Sequence, residues 1–423
     1  MNIKKIKPLR IFQKIELILP SSKSLTQRAL ICSSLSTGTS RIINPLISED
    51  TLLLKSALES IGVMFKEDKN FWEIKGKYPP QLLGQKVYLG NNGTGTRFFL
   101  ALSCLGEGSY IEIYGKPRLH ERPMQPLIEA LRKLSANIDC LEKEGFLPLK
   151  IKEGKLISKK IVLPGNISSQ FISALLLIGP YLPQGLEMEI EGELFSKNYI
   201  DLTIEVMKFF EVKVEHFDNL FKVYKGTYQP KTYEVEADAS NASYFLAIPL
   251  VIGKGEVIIK NYNPFSKQGD VRFLEYITKM GAKIDTLKPL GIKVSCKGRP
   301  KGGEFDLRNN PDLFPTMCIL GAVAEGQTVL KGAPHLRYKE TDRIKAMAQE
   351  IRKVGVKIEE LPDGIIIQGT SSLTPAIIHT YDDHRIAMSF AILGLKIGLE
   401  IENPDCVSKS FPDFWEYLEK LYE

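Results

Sequence analysis

The chain has 423 residues, 43% hydrophobic and 25% charged; this balance excludes disordered and fibrous classes, and the length exceeds what one core usually supports, so two domains are expected. Its 56 basic and 50 acidic side chains leave a net charge of +6, which points to anionic ligands but falls short of the basic clustering of a dedicated nucleic-acid binder. No stretch approaches the roughly 20 apolar residues of a membrane span, residues 1–19 lack a signal-peptide core, and six scattered cysteines form no CxxC pair, so a soluble cytoplasmic protein with reduced thiols is expected.

In chain order, residues 5–19 read first, as two strand-like runs without a neighbouring partner. From Pro20 onward a unit of roughly seventy residues recurs six times. One helix class ends at Gly38, Gly108, Gly185, Gly255, Gly326 and Gly398, and a second begins just after Asp50, Pro123, Asp201, Asp270, Asp342 and Asp413. Two independent markers keep one register. Each unit reads helix, strand, helix, strand, strand. In the fifth, Leu313–Ala324 is an apolar helix, Thr328–Lys331 a short strand, and Asp342–Val354 an amphipathic helix with Ile344, Met347, Ala348 and Ile351 on one face. Joints from helix to strand fall at Gly62, Ser135, Glu211, Gly281 and Gly355. The sixth unit runs out after the helix Asp413–Leu421, and residues 5–19 are expected to complete it. The expected division is a first domain over 20–233 and a second over 1–19 plus 234–423, each of three units. The unit is longer than most solenoid repeats, so globular domains fit better.

Helix starts carry unpaired N–H groups and a partial positive charge, which makes them sites for phosphate and carboxylate. The first opens Ser21-Ser22-Lys23-Ser24-Leu25-Thr26-Gln27-Arg28, with Ser24 and Arg28 on one face and Lys23 at the mouth. The second unit opens Gly90-Asn91-Asn92-Gly93-Thr94-Gly95-Thr96-Arg97, whose glycines let a ligand approach the backbone. Further openings hold Arg118 and Arg122, Ser168-Ser169-Gln170, and Ser196-Lys197-Asn198-Tyr199. In the second half, Asp312 follows Asn309-Asn310-Pro311, Lys339-Glu340-Thr341-Asp342-Arg343 leads into another helix, Asp382-Asp383-His384-Arg385 opens a third, and Lys409 precedes Phe411-Pro412-Asp413. Asp342 and Asp413 read as helix caps; Asp312 does not, because Asn310 is available to cap.

These segments, Lys23–Leu30, Asn91–Arg97, Pro117-Arg118 with Glu121-Arg122-Pro123, Ser168–Phe171, Lys339–Arg343 and Asp383–Arg385, together resemble the 5-enolpyruvylshikimate-3-phosphate synthase family, along the whole chain and in the family's order. The resemblance implies an α/β fold of two similar domains, each of three βαβαββ units, an inside-out α/β barrel. It implies transfer of the enolpyruvyl group from phosphoenolpyruvate to the 5-hydroxyl of 3-phosphoshikimate with release of phosphate, on the shikimate pathway to chorismate and the aromatic amino acids. No cofactor, metal, nucleic acid or membrane is involved, and a monomer is expected. By similarity, Lys23, Gly93, Arg122, Gln170, Arg343, Arg385 and Lys409 hold phosphoenolpyruvate, and Lys23, Ser24, Arg28, Ser168, Ser169, Gln170, Ser196, Tyr199, Asp312 and Lys339 hold 3-phosphoshikimate. Asp312 resembles the base, and Glu340, with Lys23 as relay, the acid. The residues suit such substrates, since two phosphorylated acids need a dense set of cations, and arginine grips carboxylate or phosphate with paired hydrogen bonds.

Two positions depart from the family pattern: His335 stands where an asparagine is common, and Phe98 follows Arg97 where a proline is usual, which is expected to tilt that helix. Two other readings compete. The enolpyruvyl transferase acting on UDP-N-acetylglucosamine uses a loop cysteine, and the corresponding segment here, Gly115–Gln125, has none. A non-catalytic polyanion-binding repeat protein leaves Asp312 and Glu340 among the cations unexplained, and the openings lack interleaved aromatics for base stacking.

Overall fold

The computed structural model describes residues 2–423, as two compact units. One, here the continuous unit, is Ser21–Val235; the other, the discontinuous unit, joins Met1–Pro20 to Glu236–Glu423. Each has its own apolar core. Five sheets are four-stranded and share one order, in which the first strand of a repeat runs parallel to the second, the second antiparallel to the fourth, and the fourth antiparallel to the third. In the third repeat these strands are Ile161–Pro164, Leu186–Glu191, Leu220–Val223 and Val214–Phe217, with helices Ser169–Ile178 and Lys197–Phe209 after the first and second. This is the βαβαββ repeat.

The two helix classes differ in what they bury. Every residue of Phe314–Val323 is buried, as is His384–Ile397 up to Leu395, so these helices are apolar on all sides and lie inside. Arg343–Lys353 is amphipathic, burying Ile344, Met347, Ala348 and Ile351 and ending on Arg352 and Lys353, cations that suit a helix C-terminus. Strands such as Leu186–Glu191 alternate buried with more exposed residues, which sets the sheets outside the helices. Helices within and sheets without make the inside-out α/β arrangement. Among the described residues no helix is long and apolar enough to cross a membrane.

The N-terminal strands correct one expectation. The sequence leads one to expect residues 5–19 as a pair in the sixth repeat, but only Ile3–Ile6 joins it, antiparallel to Leu399–Glu402, in the place of a fourth strand. The segment that follows runs along helix His384–Ile397, with Leu9 N donating to Leu395 O at 2.7 Å. It carries Lys14–Leu17 to a parallel pairing with Glu256–Ile259 in the fourth repeat. The first repeat likewise takes its first strand from Thr232–Glu234, parallel to Thr39–Ile43.

The recurring joints have a backbone reason. Of the six glycines that mark the first class, five precede their strand in the left-handed region, with φ of 120° at Gly108, 79° at Gly185, 82° at Gly255, 78° at Gly326 and 77° at Gly398. At the second joint Gly62, Gly281 and Gly355 have φ of 96°, 102° and 90°, and Ser135 and Glu211 adopt the same region at 70° and 66°. A side chain there costs about 1–2 kcal/mol. Ser135→Gly is therefore expected to stabilise the chain by about 0.5–1 kcal/mol. Gly62→Ala, whose Cβ would stand 2.9 Å from Gln81 Oε1, is expected to destabilise it by about 1–2 kcal/mol. Urea unfolding of both variants beside the parent checks the pair of signs.

Candidate active site

In the continuous unit, helix Lys23–Leu35 is capped by Ser22, whose Oγ accepts from Leu25 N at 3.4 Å. Lys23 Nζ lies 2.8 Å from Oδ2 of Asp50, in the first turn of helix Glu49–Ser60. Arg28 is 1% exposed. It donates from Nε to Thr203 Oγ1 at 2.7 Å, from Nη1 to Ser24 O at 2.9 Å and from Nη2 to Tyr199 O at 3.0 Å. All three acceptors are uncharged, and burial pushes the guanidinium pKa down to about 10.

Helix Gly93–Ser103 repeats the arrangement. Its cap, Asn92, accepts from Gly95 N at 2.8 Å and donates to Asp50 O at 2.7 Å, which joins two helix starts. Arg97 donates back to Gly93 O at 3.0 Å, as Arg28 does to Ser24 O, because helical side chains lean toward the N-terminus. It also reaches Gln170 Oε1 at 2.7 Å, while Gln170 Nε2 donates to Thr94 Oγ1 at 2.8 Å, so the Gln170 amide is held from both sides. Each arginine lies over an aromatic ring of the next inner helix, Arg28 over Phe98 at 5.4 Å and Arg97 over Phe171 at 5.2 Å, a stacking that suits a desolvated guanidinium. Phe98 thus has a positive role as the platform under Arg28.

Arg122 is buried against Gly93, where a Cβ would stand 2.5 Å from its Nη2. Only glycine leaves that guanidinium its place. Ser168 caps helix Ser169–Ile178, accepting from Gln170 N at 3.3 Å, and Ser169 is buried. Ser196 opens helix Lys197–Phe209 from the left-handed region, and Tyr199 N bonds to its carbonyl at 3.1 Å. Lys23, Ser24, Arg28, Gly93, Arg122, Ser168, Ser169, Gln170, Ser196 and Tyr199 therefore stand at or beside helix starts of one unit, where Asp50 bonds to Lys23 and Asn92, Thr94 to Gln170, and Thr203 to Arg28 and Tyr199.

In the discontinuous unit a buried arginine is neutralised. Arg343, 1% exposed, opens helix Arg343–Lys353. It meets Asp383 at 2.7 Å through Nε, Asp312 at 3.0 Å through Nη1 and Glu340 at 2.8 Å through Nη2. Burial works against its charge, but the three carboxylates prevail and raise its pKa. Asp383 caps helix His384–Ile397, accepting from Arg385 N at 2.9 Å. Arg385 Nη2 returns to Asp312 Oδ2 at 2.7 Å and its Nη1 reaches Tyr244 OH at 3.3 Å. Asp312 thus has one arginine on each oxygen. Burial disfavours its ionised form, yet Arg385, Arg343 and nearby Lys339 hold it well below the usual carboxylate range. Lys409 is buried at the end of the turn Pro404–Lys409. His335 is buried beside Lys339, and burial first, then that positive charge, pushes its pKa down to about 3, so the ring is neutral. Among the described residues no three His, Cys, Asp or Glu side chains are grouped to hold a metal ion.

The model of the family EPSP synthase (3-phosphoshikimate 1-carboxyvinyltransferase) matches residues 10–418 of this chain. The chain belongs to the EPSP synthase family. It is similar to the 3-phosphoshikimate 1-carboxyvinyltransferase of a Sulfurovum species, 40% identical over 100% of this chain and 99% of that protein. The protein of the same name from Methanothermobacter thermautotrophicus is 38% identical over 95% and 94%. Among solved structures, EPSP synthase from Acinetobacter baumannii superposes with a TM-score of 0.81 at 26% identity, covering 99% of this chain and 98% of that one.

Within this member of the EPSP synthase family, residues without an assigned role prove central. Asp383 was legible only as part of a motif, although two adjacent carboxylates at Asp382-Asp383 exceed what one cap needs. Asp342 is a cap, accepting from Lys345 N at 3.0 Å. Asp413 stands at its helix start without a side-chain bond to the helix. Arg343→Met is expected to destabilise the protein by about 3–5 kcal/mol at neutral pH, because it strands Asp383, which is fully buried. The Asp312 share of that stability exists above the ordinary carboxylate pKa of 3.8 and is lost as pH falls through its lower folded value. Denaturant unfolding at pH 7 and pH 2 should therefore show a smaller gap between variant and parent at pH 2.

Proposed function

We propose that this chain moves the carboxyvinyl group of phosphoenolpyruvate onto the 5-hydroxyl of 3-phosphoshikimate and releases phosphate, as a cytoplasmic monomer without a cofactor. The observation that carries this reading is family membership along nearly the whole chain, residues 10–418. Lys23, Gly93, Arg122, Gln170, Arg343, Arg385 and Lys409 hold phosphoenolpyruvate. Lys23, Ser24, Arg28, Ser168, Ser169, Gln170, Ser196, Tyr199, Asp312 and Lys339 hold 3-phosphoshikimate. The buried cation Arg28, with neutral partners only, suits an anionic ligand, since such a ligand lowers the cost of burying the charge.

The chemistry needs a base for the attacking hydroxyl and an acid for the methylene carbon of the enol. Asp312 is the base and Glu340, with Lys23, serves the acid step. The hydroxyl oxygen bonds to C2 while C3 gains a proton; loss of a C3 proton and of phosphate then restores the double bond. Asp312 is a weak base while both its oxygens accept from arginine. The carboxylate of phosphoenolpyruvate, competing for Arg343 and Arg385, releases Asp312 to the hydroxyl, so binding of one substrate exposes the base for the other.

Phosphate release measured with and without 3-phosphoshikimate tests the reading. The parent should release phosphate only with both substrates, and Asp312→Asn and Glu340→Gln should each lower kcat by about a hundredfold or more; release indifferent to 3-phosphoshikimate overturns it. Gly93→Ala is expected to weaken phosphoenolpyruvate binding by about tenfold, on the order of 1.4 kcal/mol, while changing unfolding stability by less than about 0.5 kcal/mol. The reason is that the crowded atoms are the far end of the long Arg122 side chain; ligand titration beside thermal unfolding separates the two effects.

A further inference from the structure

We propose that Asp270 is a positioning residue for Asp312: through Asn310 it fixes the turn that carries Asp312, and its negative charge keeps that carboxylate basic. This deepens the reading of Asp312 as the base and rests on it. In sequence Asp270 is only a marker of a helix start, but its side chain does not cap. It is buried in the turn Gly269–Arg272 and accepts from Ser240 Oγ and, at 3.3 Å, from Asn310 Nδ2. The same Asn310 nitrogen donates to Gly269 O at 2.7 Å, and Asn310 Oδ1 faces Tyr276 OH at 3.4 Å. Asn310 is fully buried, and Pro311 and Asp312 follow it directly. One side chain thus bolts the Pro311–Leu313 turn to the backbone and carboxylate of the Asp270 turn.

The hydrogen-bond partners of Asp270 are neutral. The charged and titratable groups that act on it are Asp312, which opposes its ionisation, and Arg385, which favours it. The hydroxyls of Tyr262 and Tyr276 feel its charge, and Asp238 acts on Tyr262 in the same sense. Burial and the charge of Asp312 push Asp270 up to about 6. Repulsion is mutual, so ionised Asp270 raises the basicity that Arg343, Arg385 and Lys339 depress in Asp312. The folded pKa lies above the ordinary 3.8, so the folded state binds the proton more tightly. Stability therefore falls as pH rises from about 4 through about 6, and the ionised form costs stability at neutral pH. An asparagine could keep both contacts without that cost, accepting from Asn310 Nδ2 through its amide oxygen and donating from its amide nitrogen to Ser240 Oγ, and a carboxylate that lowers stability next to the base points to a functional demand.

The test compares the full-length parent with Asp270→Asn, following phosphate release with both substrates from pH 5 to 9, and thermal unfolding over the same range. The expected parent kcat falls about tenfold through an acid limb near pH 6. Asp270→Asn should lack that limb, hold the lower rate at neutral pH, keep KM for 3-phosphoshikimate within about twofold, and melt no lower than the parent at pH 7.5. An unchanged limb and parental kcat overturn the inference, as does a lower melting temperature with the limb retained. Should Asp270→Asn fail to fold, Ser240→Ala removes one hydrogen bond to the ionised carboxylate and must shift the limb to higher pH; an unmoved limb overturns the proposal. A parent that releases no phosphate overturns the functional reading and this inference together, whereas an active parent with no effect at Asp270 sinks only the latter.

Discussion

A guanidinium that water cannot reach must be neutralised where it stands or carry a lowered pKa, and Arg343 takes the first course. Its three nitrogens fix Asp383, Asp312 and Glu340 in one plane of contacts. Through Asp383 the same arginine sets the start of helix His384–Ile397, and with it Arg385, which closes the network by returning to Asp312. Removing the central cation would leave several carboxylates competing for two remaining positive charges.

Arg28 takes the other course. It is equally buried but bonded to a hydroxyl and two carbonyls, so its positive charge is not cancelled locally. The two compact units thus prepare opposite electrostatic conditions. One holds carboxylates and cations in an internally balanced set; the other holds an excess positive charge over an aromatic face.

Much of this was legible because the fold repeats. Glycine at the strand entry is demanded by left-handed backbone, so its period survives even where neighbouring residues differ. The helix starts were legible because serine, asparagine and arginine there answer unpaired N–H groups and anionic ligands. What sequence reasoning missed lies in contacts between repeats. The strands at residues 5–19 parted company because Lys14–Leu17 pairs with residues some two hundred and forty positions later, and local pattern holds no record of such a partner. Asp270 read as a helix marker because its neighbours Ser240 and Asn310 are thirty and forty residues away. The Phe98 departure was visible, but its meaning, a ring under Arg28, required the packing of two inner helices.

The placement of Lys14–Leu17 also constrains how the protein is made. The continuous unit holds every strand of each of its sheets within Ser21–Val235, so its sheets can form while the rest of the chain is still being synthesised. Two sheets of the discontinuous unit cannot form that way. Their early strands leave the ribosome long before their partners: Lys14–Leu17 must wait for Glu256–Ile259, and Ile3–Ile6 must wait for Leu399–Glu402. At elongation rates of about 5–20 residues per second, those edges stay unpaired for roughly ten seconds to more than a minute. Lysines at 4, 5, 7 and 14 interrupt these apolar runs with charge during that interval, when a nascent edge strand is most open to pairing with another chain.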